Sequence, residues 1–240
     1  MKRGRQNHKE IEMAKHGKKY REVAVKVSPD KQYTVDEAAA LLKEISYAKF
    51  DASIEMHVHL GVDPRNAEQQ VRGTVVLPHG TGKTKRVAVF TADERAEDAR
   101  KAGADIVGGA DLAEKIKGGF LDFDACIATP DMMKEVGKLG KVLGPRNLMP
   151  SPKAGTVTND VAAAIKEIKS GRVEYRLDRN AVIHMVIGKI SFTAQQIAEN
   201  LNTVLEAIAK AKPASAKGHY MKNVSVASTM SPGILIAYGA

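Results

Sequence analysis

The hydrophobic period of this chain changes twice, and those changes constrain the fold more than any single motif. From Ile54 to Val62 apolar residues alternate: Ile54, Met56, Val58, Leu60 and Val62 point one way, Glu55, His57, His59 and Gly61 the other. A period of two marks a strand with one face buried and one wet. Further on, the pattern becomes a short continuous apolar strand at 87–90 and further short strands at 104–107 and 123–128, each followed by a helical stretch. Strands alternating with helices predict a small parallel sheet covered on both faces. A helix with Val161, Ile165 and Ile168 on one face then stops at Gly171, and the first pattern returns in strands at 173–176 and 181–187, a long helix, and a last strand at 220–227. The simplest packing makes the middle block an insertion. The two ends fold together as one α+β domain, and two chain crossings connect it to the block.

Two helix starts are written explicitly. Thr34-Val35-Asp36-Glu37 and Thr193-Ala194-Gln195-Gln196 are capping boxes, in which hydroxyl and carboxylate or amide satisfy two orphan backbone amides. The first leads a helix with Ala38, Leu41, Leu42 and Ile45 on one face, ending near Tyr47. The second leads Ile197, Leu201, Val204, Leu205 and Ile208, with Phe192 and Ile197 placed as a hydrophobic staple and Lys212-Pro213 as the stop.

Charge adds a class of partner. The 37 basic residues exceed the 28 acidic ones by 9, and residues 1–22 carry eight Lys/Arg against Glu10, Glu12 and Glu22. That stretch lacks hydrophobic periodicity and reads as a basic arm suited to phosphate contact. No run of eighteen apolar residues and no apolar leader is present, so neither a membrane span nor a secretory signal is expected. The single cysteine, Cys126, sits in the apolar run Ala125-Cys126-Ile127-Ala128 and reads as a buried thiol. A reducing cytoplasm is the default compartment.

The apparent catalytic motifs fail on their own geometry. Gly80-Thr81-Gly82-Lys83-Thr84 resembles a phosphate loop, but that loop needs a glycine where Leu77 stands, and Pro78 deletes a backbone donor. The stretch reads better as a tight basic turn between domains. No Gly-x-Gly-x-x-Gly follows a strand in the middle block; Gly103, Gly108 and Gly109 are wrongly spaced. His57 and His59 share one strand face, yet nothing obvious supplies a third ligand, so neither metal nor cofactor is expected. No catalytic residue is assigned. The alternative reading is a nucleotide-dependent enzyme using the middle block. With five Phe, six Tyr and no Trp, structured RNA fits this basic chain better than a single-strand stacking platform.

Lys49-Phe50-Asp51, Val71-Arg72-Gly73-Thr74, Leu77-Pro78-His79-Gly80 and Ala128-Thr129-Pro130-Asp131 carry a resemblance, as do Leu143-Gly144-Pro145-Arg146, Met149-Pro150, Pro152-Lys153-Ala154-Gly155-Thr156-Val157 and Thr229-Met230. In this order, from about Lys15 onward, the chain resembles the bacterial type of the L1 family of large-subunit ribosomal proteins. The resemblance implies an α+β outer domain split between residues 1–79 (1–22 the arm) and 172–240, with an inserted α/β Rossmann-like three-layer domain at 80–171. It implies a cytoplasmic, ribosome-associated structural protein, monomeric off the ribosome. Its implied partners are the mobile stalk of large-subunit rRNA near the tRNA exit site, exit-site tRNA transiently, and its own operon mRNA, whose translation it represses. The implied RNA-binding residues are Lys49, Phe50, Ser53, Glu55, Lys189, Lys222, Ser228, Thr229, Met230 and Ser231. Thr229 would bond RNA backbone or sugar, Met230 would pack on a ribose or base, Phe50 would buttress that surface, and Lys189 and Lys222 would reach phosphates. The family usually reads Thr-Met-Gly-Pro, so Ser231 replaces a glycine, which matters if that position needs φ above zero.

Overall fold

The computed structural model describes residues 17–238. In chain order the elements are α1 (Lys18–Ala24), α2 (Val35–Ile45), β1 (Ser53–Leu60), β2 (Arg72–Val76), β3 (Val87–Phe90), α3 (Asp93–Lys101), β4 (Ile106–Gly108), α4 (Ala110–Lys117), β5 (Ala125–Ala128), α5 (Met133–Gly137), α6 (Gly140–Leu143), α7 (Val161–Lys169), β6 (Arg172–Arg176), β7 (Val182–Lys189), α8 (Ala194–Lys210), β8 (Met221–Ser228) and β9 (Ile234–Ile236).

The two ends of the described chain share one core. Strands β7, β1, β8 and β9 lie in that order in an antiparallel four-stranded sheet. Ile54, Met56, Val58 and Leu60 of β1 turn inward with Ile183, Met185, Val224 and Val226. Leu42 and Ile45 of α2 and Ile197, Leu201 and Leu205 of α8 close over them. Both helices begin at the capping boxes read from the sequence. Thr34 Oγ1 accepts from the Glu37 amide and Thr193 Oγ1 from the Gln196 amide, and each N3 side chain returns the bond. The opposite sheet face, with Glu55, His57, His59, His184 and Ser225, is left accessible.

The middle block has its own cores. Strands β4, β3 and β5 are parallel, with β3 central. All four residues of β3 are buried because the strand is covered on both sides. Val87 and Val89 join Ala99 and the α7 residues Val161, Ala164, Ile165 and Ile168. Ala88 and Phe90 join Leu112, Ile116, Val136, Leu139 and Leu143 on the other side. Cys126 is in this second group, and burial pushes its thiol up to about 12, so it is a packing residue rather than a thiolate.

The strands β2 and β6 form a two-stranded ribbon where the chain passes between the two bodies. Beyond it the crossings touch backbone to backbone. The Leu77 amide donates to the Gly171 carbonyl at 3.3 Å, and a Cβ on Gly171 would lie 2.3 Å from the Gly80 Cα. Gly80 and Gly171 have φ of 65° and 105°, so glycine is needed twice over at this approach. Asn200 of α8, fully buried, fixes the crossing to the sheet. Its amide donates to the Gly80 and Ile187 carbonyls (3.1 and 2.8 Å), and its Oδ1 accepts from the His79 amide (3.2 Å).

Several expectations need correction. Residues 1–16 of the expected arm lie outside the described residues, whereas 18–22 belong to helix α1. The stretch Asp111-Leu112-Ala113-Glu114 reads from the sequence as a helix cap, but Gly109 stands at the N-cap of α4, and the Asp111 carboxylate accepts from the Gly109 amide at 2.9 Å from within the first turn. The strand read at 104–107 lies at Ile106–Gly108, because Ala104 and Asp105 bond to the end of α3 and the start of β3. Strand β8 is not the last; Ile234–Ile236 pairs with it and also bonds Tyr33 through Leu235.

Asn200→Leu is expected to remove the side-chain partner of one buried and two part-buried backbone groups and to destabilise the chain by about 2–4 kcal/mol. Urea unfolding followed by circular dichroism measures this; an unchanged midpoint would show that the crossing needs no such tie.

Candidate nucleic-acid interface

The register of β1 against β8 builds the site. Ile54 pairs with Ser228, so the chain entering β1 and the chain leaving β8 meet at one end of the sheet. The Ser53 amide donates to Thr229 Oγ1 at 3.2 Å, and the Thr229 amide donates to the Ser53 carbonyl at 3.0 Å. The Thr229 hydroxyl also donates to that carbonyl at 3.3 Å. The ladder is thus prolonged by one side chain, and this hydroxyl is held within the protein before any ligand arrives.

The turn after β8 is closed by the Ser231 amide donating to the Ser228 carbonyl at 3.0 Å. Positive φ falls on Met230 (74°), not on Ser231. The doubt over the replaced glycine is therefore resolved locally. The Ser231 hydroxyl accepts from the Ser228 amide (2.9 Å) and donates to the Ser228 carbonyl (3.1 Å), reinforcing the turn. A left-handed backbone costs a residue with a Cβ about 1 kcal/mol, and here it leaves Met230 65% exposed. Tyr47 Oη donates to the Met230 carbonyl at 2.6 Å and fixes the turn against the segment leaving α2.

That segment, 46–52, is held from the other side as well. The carboxylate of Asp51 accepts from the Ser191 amide and hydroxyl, each at 3.1 Å, and Lys189 Nζ donates to the Asp51 carbonyl at 3.0 Å. Phe50 projects 57% exposed and Lys49 is exposed beside it. Phe50 and Met230 are two large apolar side chains presented to solvent at one rigid sheet end.

Of the residues expected to contact RNA, the structure gathers Lys49, Phe50, Ser53, Lys189, Ser228, Thr229, Met230 and Ser231 at this end. Glu55 lies two residues along β1 on the open face. Lys222 stands at the other end of β8, six residues or about 20 Å from Ser228. Ser228 is buried, and its hydroxyl has no hydrogen-bond partner among the described residues. Tyr47, Asp51 and Ser191 were not named as site residues from the sequence; the Tyr47–Met230 and Asp51–Ser191 contacts span 183 and 140 residues, and no local spacing signals them.

The sequence profile of the Ribosomal protein L1p/L10e family matches residues 42–232, from within α2 to just past the Met230 turn. The chain belongs to this family. Its relatives include proteins named large ribosomal subunit protein uL1 from Lactobacillus acidophilus and Lactobacillus delbrueckii subsp. bulgaricus. Each is 57% identical over 222 residues, covering 92% of this chain and 96% of the relative. It is a family of ribosomal proteins, not of enzymes. Among the described residues of this L1-family chain no helix is long and apolar enough to cross a membrane, and no three His, Cys, Asp or Glu side chains are placed to hold a metal ion.

The open sheet face adds a titratable feature. His57 stands opposite His184 across β1 and β7, with the two Nδ1 atoms 2.8 Å apart. Burial, and then the neighbouring His184, hold the His57 imidazole below its ordinary value, against a smaller opposing pull from Glu55. A histidine lowered on folding gives stability that is present above the unfolded value near 6.5 and is lost as pH falls through the folded one. His184→Gln is expected to raise the His57 titration midpoint toward 6.5 in ring-proton NMR; a midpoint that does not move would show that burial alone lowers it.

Proposed function

We propose that this chain is a structural constituent of the large ribosomal subunit that binds the mobile stalk of large-subunit rRNA, near the tRNA exit site, through the Phe50–Met230 end of its sheet. One observation carries the reading: exposed Phe50 and Met230 share a rigid edge with exposed Lys49 and a backbone-fixed Thr229. An apolar pair of this kind suits ribose and base faces, and the lysine suits a phosphate. Both apolar side chains are positioned by hydrogen bonds made elsewhere in the chain, so little ordering is left to occur on binding.

The rest of the reading follows the family. The outer, RNA-gripping domain comprises 1–79 and 172–240, and 80–171 form the inserted domain; the shared core of 27–77 and 175–236 supports that division. The protein acts in the cytoplasm on the ribosome, is monomeric away from it, and meets exit-site tRNA transiently. The same surface represses its own operon by binding an mRNA site shaped like the rRNA one.

Filter binding of the chain to a stalk rRNA fragment tests the interface. Met230→Asp is expected to weaken binding about ten- to a hundredfold, the scale of one lost apolar contact to a base or sugar. Lys49→Ala is expected to lower the salt slope by about one. Equal affinity for any duplex of the same length, or a Met230→Asp variant that binds as the parent does, would refute the assignment.

A further inference from the structure

Two sequence features stand apart from the Phe50–Met230 end: the His57 strand face and the segment around Gly144 and Pro150. The fold brings them to opposite walls of one cleft of about 580 Å³, open to solvent. Its outer-sheet wall is made by Arg72 and Glu174 of the ribbon, Arg176 and His184; Gly144, Asn147 and Pro150 of the middle block face them. Arg72 and Arg176 are direct cross-strand partners. Arg72 is paired with Glu174 at 2.6 Å, while exposed Arg176 has no ion-pair partner among the described residues.

Behind His184 stands His57, the ring centroids 5.0 Å apart at 64°. Two Nδ1 atoms at 2.8 Å have room for one proton between them, so the neutral pair shares a single Nδ1 hydrogen. His184 Nε2 faces Asp178 Oδ2 at 3.5 Å. The other charged or titratable neighbours are Glu55 and His59 on β1, and Arg72, Glu174 and Arg176 across the ribbon; on β8 the residue opposite His57 is the neutral Ser225. With the pair neutral, the charges among the residues lining the cleft, Arg72, Arg176 and Glu174, sum to +1. One more proton on the pair makes that +2, partly offset by Asp178 beside His184.

We propose that this cleft is a phosphate-binding site, in which Arg176 and Arg72 take the anion and the His57–His184 pair gains a proton as it binds. Guanidinium forks match phosphate oxygens, and the second positive charge forms at a higher pH when an anion is there to offset it. Affinity for a phosphodiester, whose charge is fixed across this range, therefore rises as pH falls through the histidine range. The ligand is a phosphate group, either of an RNA backbone or free; the site is separate from the Phe50–Met230 end and stands whether or not that end binds RNA.

The test is ring-proton NMR of His57 and His184 in the full chain between pH 5 and 8. Spectra are taken in chloride, in inorganic phosphate at equal ionic strength, and with an RNA hairpin in chloride. Phosphate is expected to raise the titration midpoint of the pair by about one pH unit, and Arg176→Gln to abolish the rise. A rise with the hairpin too assigns the site to RNA backbone; a rise with inorganic phosphate alone assigns it to the free ion. A midpoint unmoved by both ligands, or a rise of equal size in Arg176→Gln, overturns the proposal. A hairpin that binds without moving the midpoint, together with no effect of phosphate, would do the same while leaving the Phe50–Met230 reading intact.

Discussion

Everything at the candidate interface depends on the pairing of β1 with β8. Their sequence separation exceeds 160 residues, yet the register Ile54 with Ser228 decides which loops meet. A slip of one residue would turn Ile54, Met56 and Val58 into solvent and the histidines into the core, so burial pins the register strongly. With it pinned, the Ser53–Thr229 bonds and the Tyr47–Met230 bond follow as extensions of a ladder already formed. Exposed Phe50 and Met230 are then consequences of where the sheet ends rather than of any local signal.

The middle block is a separate solution to the same physical problem. Its central strand is buried on both faces by helices, while the four-stranded sheet hides one face and leaves the other wet. The two bodies are joined where Gly80 and Gly171 come into backbone contact, and buried Asn200 anchors that contact to the outer sheet. The cleft beside this joint places Arg72 and Arg176 of the ribbon across from the Gly144–Pro150 segment.

Much of this was legible in the residues. Thr34 and Thr193 announced their helices because a capping box is a local hydrogen-bond arrangement. The 87–90 run announced a doubly covered strand because every residue in it is apolar. Lys49, Phe50, Thr229 and Met230 were named through the family resemblance, and the register of β1 with β8 is what brings their segments to one end of the sheet. Long-range polar contacts were not legible: Asn200 on the crossing, Asp51 with Ser191, and His184 opposite His57 each depend on a register that no local pattern encodes. The strand Ile234–Ile236 was too short to claim by periodicity. The positive φ at Met230 has no signal in the residues, because methionine carries a Cβ and does not favour the left-handed region.

The central claim is that RNA lands on the end of the sheet where both halves of the chain converge. Hydrogen–deuterium exchange of the full chain, with and without a stalk rRNA fragment, tests it most directly. The account predicts that slowed exchange on binding centres on residues 46–53 and 228–231. Protection confined to the middle block, or to the Lys222 end of β8, with no change at those two segments, would contradict it.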